Sequence, residues 1–130
     1  MAVMNRDLLW MDSRAGLAVG TAMLALSAWL SPWLGLPRDV LLAMGVANLS
    51  YGLYSGWLFV RPHRPRSAIV ALVLANATWS LACLLGAYHF APTASVFGML
   101  HLVGEGLIVG TLALLEWRAR NTLTVGQRRV

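Results

Sequence analysis

The sequence TASVFGMLHLVGEGLIVGTLALLEW occupies residues 93–117 and carries His101 and Glu105 near its middle. It is long and apolar enough to form a helix that crosses a bilayer, for which about 20 residues suffice. A charged side chain at the bilayer centre costs about 2.5–3.5 kcal/mol, so it normally faces protein or water rather than lipid. No other apolar run of the chain contains an acid, which makes Glu105 the first candidate for a functional site.

The composition of the whole chain indicates the same kind of protein. Of 130 residues, 58% are hydrophobic and 12% are charged, whereas soluble domains carry about 25% charged residues. Three further apolar runs of span length fill most of the remaining sequence, which leaves no room for a separate soluble domain. We therefore expect a single membrane domain over residues 1–130, with an all-α fold.

Proline, glycine and arginine mark where the predicted helices end. Gly35 and Pro37 interrupt the chain after the first apolar run, which has no formal charge. The hexapeptide RPHRPR at residues 61–66 cannot continue a helix or enter hydrocarbon, because it contains two prolines and three arginines. The predicted spans of this four-helix bundle are residues 15–34, 40–60, 67–90 and 93–117, followed by a polar tail at residues 118–130 whose end we expect to be disordered.

The distribution of arginine predicts how the helices are oriented. The loop between the second and third spans has three arginines and the C-terminal side has four, whereas the other two loops contain Arg38 alone. Basic residues that flank membrane spans are retained on the cytoplasmic side. Both termini and the middle loop are therefore predicted to be cytoplasmic.

The net charge of +5 comes from ten arginines set against five acids. In a soluble protein it would suggest nucleic-acid binding, but arginines beside spans normally set topology and contact anionic lipid headgroups. We therefore expect membrane lipids as partners and no nucleic acid. The single cysteine, Cys83, excludes an intramolecular disulfide and a C-x-x-C redox pair.

Small residues recur four positions apart in three of the predicted helices. In lipid, helices gain no hydrophobic drive from meeting, so close backbone approach at such pairs supports their association. The pairs predict a compact bundle, and they leave a homo-oligomer open as an alternative use of the same surfaces. They are Gly16 with Gly20, Gly52 with Gly56, and Gly106 with Gly110.

Polar side chains on three spans fall at similar depths. At about 1.5 Å per residue, Asn48 lies level with His101, Asn76 lies near the level of Glu105, and Tyr51 follows Asn48 on the same helix face. His101 and Glu105 are four residues apart, which lets the carboxylate orient or charge the imidazole. These five residues are the predicted ligand- or proton-binding site. The alternative is a structural hydrogen-bond network that only ties the helices together.

The remaining polar residues have simpler interpretations. His63 is predicted to be a surface residue, and His89 lies at the end of the third span without a spacing that matches a metal or haem site. Glu116 is interpreted as an interfacial residue paired with a following arginine, although a neighbourhood with Asp12 would create a second acidic site. We predict no metal, no cofactor and no catalytic residue, because no nucleophile–base pair, acidic metal cluster or redox dithiol occurs.

Four short motifs make the chain similar to a known family. They are Leu34-Gly-Leu-Pro37, Ala75-Asn76-Ala-Thr-Trp79, Ala91-Pro92-Thr93, and Glu116 near the end of the fourth span. Over nearly its whole length, the chain resembles an uncharacterised family of small bacterial four-span inner-membrane proteins. The resemblance implies a four-helix fold and a multi-pass location in the bacterial cytoplasmic membrane, and it implies no activity. That family is expected to carry a neutral amide near position 105, so Glu105 is a departure.

The sequence therefore predicts a non-enzymatic membrane protein. It would bind or pass a small hydrophobic or cationic molecule, or a proton, through the polar site around Glu105. The alternative prediction is a structural or assembly subunit of a membrane complex, which has no ligand and binds partner helices through its small-residue faces.

Overall fold

The computed structural model describes residues 2–124, with side chains described from residue 7. This part of the chain is all-α and contains no strand, which confirms the predicted fold class. Residues 125–130, where the disordered tail end is predicted, lie outside the described residues. The helices are α1 at Ala2–Leu34, α2 at Arg38–Val60, α3 at Arg66–Phe90, α4 at Val96–Arg118 and the short α5 at Arg120–Thr124.

Three of these helices are long and apolar enough to cross a membrane, namely Asp7–Leu34, Arg66–Phe90 and Val96–Arg118. The sequence predicts four such spans, and the difference lies in α2. This helix has 23 residues, which is span length. However, the mean hydropathy of α2 is lowered by Asn48, Tyr51 and the serines and glycines around them.

Helix α1 is longer than the apolar run that predicted it. It begins at Ala2, well before residue 15, and Pro32 is accommodated in its last turn. It ends where Gly35 takes a φ of +63°, a left-handed conformation that glycine adopts without steric cost. The early start places Asp12 within the helix, whereas the predicted span at residues 15–34 carries no formal charge.

Glycines bring α1 and α2 into direct backbone contact. A Cβ atom on Gly16 would lie 2.7 Å from the Asn48 carbonyl oxygen, and one on Gly20 would lie 2.6 Å from the Leu49 amide nitrogen. In the second hairpin, the Ser80 hydroxyl of α3 donates to the Gly106 carbonyl of α4 at 2.6 Å. The glycines of the small-residue pairs therefore face neighbouring helices within the bundle.

The two hairpins are tied together at both ends. At the Gly35 end, which comprises the loops at residues 35–37 and 91–95, the Ser95 amide donates to Leu34 O at 3.0 Å. At the Arg64 end, which comprises the loop at residues 61–65 and α5, the Arg64 guanidinium donates to Leu58 O at 2.6 Å and to Leu123 O at 3.4 Å. Arg64 is therefore buried against helix-terminal carbonyls, where its charge also complements the α2 dipole.

Two apolar clusters fill the ends of the bundle, and polar side chains lie between them. Along α4, Leu102 belongs to the first cluster, Glu105 and Glu116 follow, and Ala119 packs on the second cluster. The polar side chains are therefore concentrated in a middle band. The cluster at the Gly35 end contains Met23, Leu34, Leu36, Leu41, Met44, Cys83, Ala87 and Leu102. The cluster at the Arg64 end contains Leu9, Leu58, Ile69, Leu72 and Leu123.

Candidate functional site

One carboxyl group of the middle band is held by donors from two other helices. Glu105 Oε1 accepts hydrogen bonds from Asn48 Nδ2 at 2.6 Å and from Trp79 Nε1 at 2.8 Å. The Asn48 amide also donates to Met44 O at 2.9 Å, which fixes its orientation on α2. Together with His101, these residues form what we call the Glu105 cluster (Glu105, Asn48, Trp79 and His101). The Glu105 side chain therefore links α4 to both α2 and α3.

The second oxygen of Glu105 faces an imidazole. His101 Nε2 lies 3.1 Å from Glu105 Oε2, and the two residues are one helical turn apart on α4. Within the described residues, neither atom has a further hydrogen-bond partner. The His101 side chain is 22% exposed, whereas that of Glu105 is 8% exposed. Both of these atoms are buried, and the partly exposed His101 ring covers this side of the carboxyl group.

Two more acids meet at a second amide, nearer the Arg64 end. Asn76 Nδ2 lies 3.0 Å from Glu116 Oε2 and 3.4 Å from Asp12 Oδ2, and it donates to both. Glu116 is 0% exposed, Asn76 1% and Asp12 5%. We call these three residues the Asp12 cluster. It joins α1, α3 and α4 and is more deeply buried than the Glu105 cluster.

A single cavity of about 290 Å³ is lined by members of both clusters. It lies between α1 and α4, with polar groups from α2 and α3 at its base, and its rim includes the exposed side chains of Leu100 and Ile108. The cavity therefore opens sideways between two helices, at the middle of their length. Its lining residues are Asp12, Ala15, Gly16, Val19, Asn48, Tyr51, Asn76, Leu100, His101, Gly104, Glu105, Ile108, Val109 and Leu112.

The structure brings most of the predicted site residues to this cavity, but it groups them differently. Asn48 and His101 both contact Glu105. Tyr51 lines the cavity, and its hydroxyl donates to Ala75 O at 3.3 Å. Asn76 also lines the cavity, but its amide donates to Asp12 and Glu116 and not to Glu105. The depth of a residue along its helix predicts neither how the helix is rotated about its axis nor how far a glutamate side chain extends along the bundle.

Trp79 is not among the predicted site residues, and Glu116 is predicted to lie at the membrane surface. The Trp79 indole instead donates to Glu105, and Glu116 is fully buried. Glu116 is not paired with Arg120, whose guanidinium stacks on the Trp117 ring at 4.0 Å. One available signal was the spacing of Glu105 and Glu116: eleven residues are about three helical turns, so both acids lie on one face of α4.

The other histidines lie apart from this cavity. The ring of His89 packs edge-on against Phe90 with centroids 4.8 Å apart, and His63 is exposed in the loop before α3. Within the part of the chain that the structure describes, no group of three or more His, Cys, Asp or Glu side chains is placed to hold a metal ion.

Comparison with known proteins found no family model, no curated protein and no solved structure that matches this chain. The function has to be inferred from the cavity and the two clusters themselves.

Proposed function

We propose that this protein is a four-span protein of the bacterial cytoplasmic membrane, with both termini on the cytoplasmic side, that binds a small amphipathic cation at the Glu105 cluster. The orientation is supported by the arginines, because Arg61, Arg64 and Arg66 lie at the start of α3 and Arg118 and Arg120 lie at the end of α4, which is the same end of the bundle. Arginines at one end are retained on the cytoplasmic side during insertion.

The surface of α2 supports its assignment as the fourth span. Asn48 and Ser55 are buried, while Val46, Leu53 and Val60 are more than half exposed. The helix therefore turns apolar side chains outward and polar ones inward. This is the arrangement expected of a membrane helix whose polar residues face the bundle interior.

The observation that carries the ligand proposal is a carboxyl group beside a laterally open apolar cavity. Leu100, Ile108 and Val19 line the walls, and Glu105 lies at the base. At about 290 Å³, the cavity is at the lower end of the range for small-molecule sites. A ligand that fits it has an apolar body of one ring or a short chain, and a positive charge that reaches the carboxyl group. Such a molecule partitions into the bilayer and would enter between α1 and α4.

The Glu105–His101 pair suggests how the charge of a bound cation would be neutralised. Glu105 Oε1 is occupied by Asn48 and Trp79, so an incoming cation has to approach Oε2, where His101 lies. On binding, the ligand's positive charge would take the place of the His101 imidazole beside Oε2. The buried carboxyl group would then be paired with a cation, which avoids an unpaired buried charge.

Binding of benzyltrimethylammonium to the full chain in lipid nanodiscs tests the proposal. The probe combines one ring with a permanent positive charge, and neopentylbenzene is its uncharged isostere. Calorimetry should show that the cation binds more tightly than the isostere. Glu105→Gln should weaken cation binding by about tenfold or more, because it removes the negative charge beside which the cation would bind.

Asp39→Asn is the matched control, since it makes the same change of charge at an exposed position at the start of α2. It should change the affinity by less than about twofold, as expected for an exposed charge. Equal affinity for the cation and its isostere, or an unchanged affinity in Glu105→Gln, would contradict the proposal.

The alternative, a structural or assembly subunit, would use small-residue faces to bind partner helices. Gly16, Gly20 and Gly106 are already used inside the bundle, against α2 and α3. Native mass spectrometry distinguishes the two functions. A monomer that retains benzyltrimethylammonium supports ligand binding, whereas a defined oligomer that does not retain the probe supports assembly.

A further inference from the structure

The Asp12 cluster lacks enough donors for the charge its acids would carry. Two ionised carboxylates are acceptors only and offer four oxygens. The Asn76 amide nitrogen serves one oxygen of each acid, at 3.4 Å and 3.0 Å. Glu116 Oε1 has no hydrogen-bond partner within the described residues, although Glu116 is 0% exposed. A fully buried carboxylate oxygen without a donor is destabilising, and a proton or a cation on the acid would remove that cost.

The groups that surround the two acids do not neutralise them. Asp12 comes from α1 and Glu116 from α4, while α3 contributes the neutral Asn76 and α2 the neutral Ser55, whose hydroxyl donates to Tyr51 O at 2.7 Å. The nearby arginines make contacts elsewhere. Arg14 lies over the Trp10 ring at 5.1 Å, Arg120 lies over the Trp117 ring at 4.0 Å, and Arg64 donates to carbonyls at the end of α2.

Asp12 Oδ2 and Glu116 Oε2 lie close to each other, because both are within hydrogen-bond reach of the one Asn76 amide nitrogen. Two carboxylates that are both ionised would repel each other in this low-dielectric interior. One proton between the two oxygens removes one of the two charges. Asn76 then stabilises the remaining charge through its two N–H groups.

We propose that Asp12 and Glu116 form a proton-binding site that holds one shared, exchangeable proton, bridged by Asn76 and reached through the cavity between α1 and α4. Asp12 and Asn76 line this cavity together with Glu105 and His101. The shared proton is therefore exposed to the same space that the proposed cation would enter. The site stands on its own contacts and does not depend on cation binding at Glu105.

Infrared difference spectroscopy of the full chain in nanodiscs tests the site directly. A protonated carboxyl group has a C=O stretching band that is separate from the carboxylate bands and shifts in D₂O when its proton exchanges. The wild-type protein should show such a band near neutral pH. Glu116→Gln and Asp12→Asn should each abolish it, because the acid that remains becomes ionised and accepts hydrogen bonds from two amides. Glu105→Gln should leave this band in place.

Each other outcome contradicts the proposal. Absence of an exchanging band in the wild-type protein overturns it, and this result does not depend on whether any variant folds. Loss of the band in only one of the two variants assigns the proton to a single residue and overturns sharing. Loss of the band when sodium replaces choline at constant pH identifies a metal-cation site instead. Circular dichroism confirms that the variants keep their helices.

Because Glu105→Gln retains the band, failure of the cation proposal and failure of the proton proposal are separate results. The first is measured by the probe's affinity and the second by the infrared band.

Discussion

The Glu105 cluster and the Asp12 cluster are built from the same kinds of residue, yet their donors differ. In the first, one carboxyl group receives two neutral N–H donors on one oxygen and faces an imidazole with the other. In the second, two carboxyl groups share a single amide nitrogen as donor. The acid of the Glu105 cluster therefore has several times as many hydrogen-bond donors as each acid of the Asp12 cluster.

This difference in donors indicates whether each cluster is suited to bind a cation or a proton. A carboxylate with two or three donors is stabilised in its charged form and can receive a cation. Two acids with one donor amide are stabilised only when a proton or cation lies between them. The cluster with more donors is also the more accessible one, since His101 is partly exposed and Glu116 is not. The following substitutions test this comparison.

Asn76→Leu should have the largest effect, because both acids of the Asp12 cluster lose their amide donor and remain buried. We expect the free energy of unfolding to fall by about 2–5 kcal/mol. Reversible unfolding in mixed micelles of mild detergent and dodecyl sulfate, followed by circular dichroism, measures this loss. A loss below about 1 kcal/mol would mean that Asn76 is not needed to satisfy the two acids.

Asn48→Leu makes the same change of side chain in the Glu105 cluster and should have a smaller effect. Glu105 keeps the Trp79 indole as a donor and His101 as a neighbour. The free energy of unfolding should therefore fall by about 1–2 kcal/mol. If Asn48→Leu destabilised the protein as much as Asn76→Leu, the proposed difference between the clusters would be wrong.

Trp79→Phe should destabilise the protein less again, by about 0.5–1.5 kcal/mol, because phenylalanine retains one aromatic ring of this half-buried side chain and removes one neutral donor. The Asn48 amide still serves Glu105 Oε1 at 2.6 Å. Combining Trp79→Phe with Asn48→Leu should give a loss that exceeds the sum of the single losses by about 0.5 kcal/mol or more, since the two donors share one oxygen. Strict additivity in this double-mutant cycle would show that the two donors act independently.

Thr111→Val should have the smallest effect and serves as the control for all three. Thr111 is exposed on α4, and its hydroxyl donates only to Leu107 O within its own helix, at 2.7 Å. The free energy of unfolding should change by less than about 0.5 kcal/mol. A larger change would indicate that the surface of α4 contacts something beyond lipid, such as a partner helix.

Part of the candidate site could be predicted from the sequence, namely the acid in an apolar stretch and its histidine one turn away. Their proximity follows from helix geometry alone, because residues i and i+4 lie on one face. The partners from other helices could not be predicted in the same way. Each long helix is apolar on most sides, so no amphipathic stripe fixes which way Asn76 or Trp79 turns.

Asp12 and Glu116 show a second limit of the sequence. Both lie close to arginines along the chain, which favours an interfacial interpretation. The structure extends α1 to Ala2 and turns Glu116 inward, so that the two acids meet at Asn76, in the neighbourhood that the sequence analysis gave as the alternative. Arg14 and Arg120, the expected partners, stack on tryptophan rings.

The sequence by itself determined that the chain forms long apolar helices and where the turns between them fall. Hydropathy, proline and glycine act locally, so the stretches at residues 35–37 and 61–65 end helices whatever their neighbours do. Only the tertiary structure decided which acids share a cavity and how many donors each receives. Those contacts depend on helix rotation and on the glycine contacts that set the distance between α1 and α2, and both arise when the helices pack together.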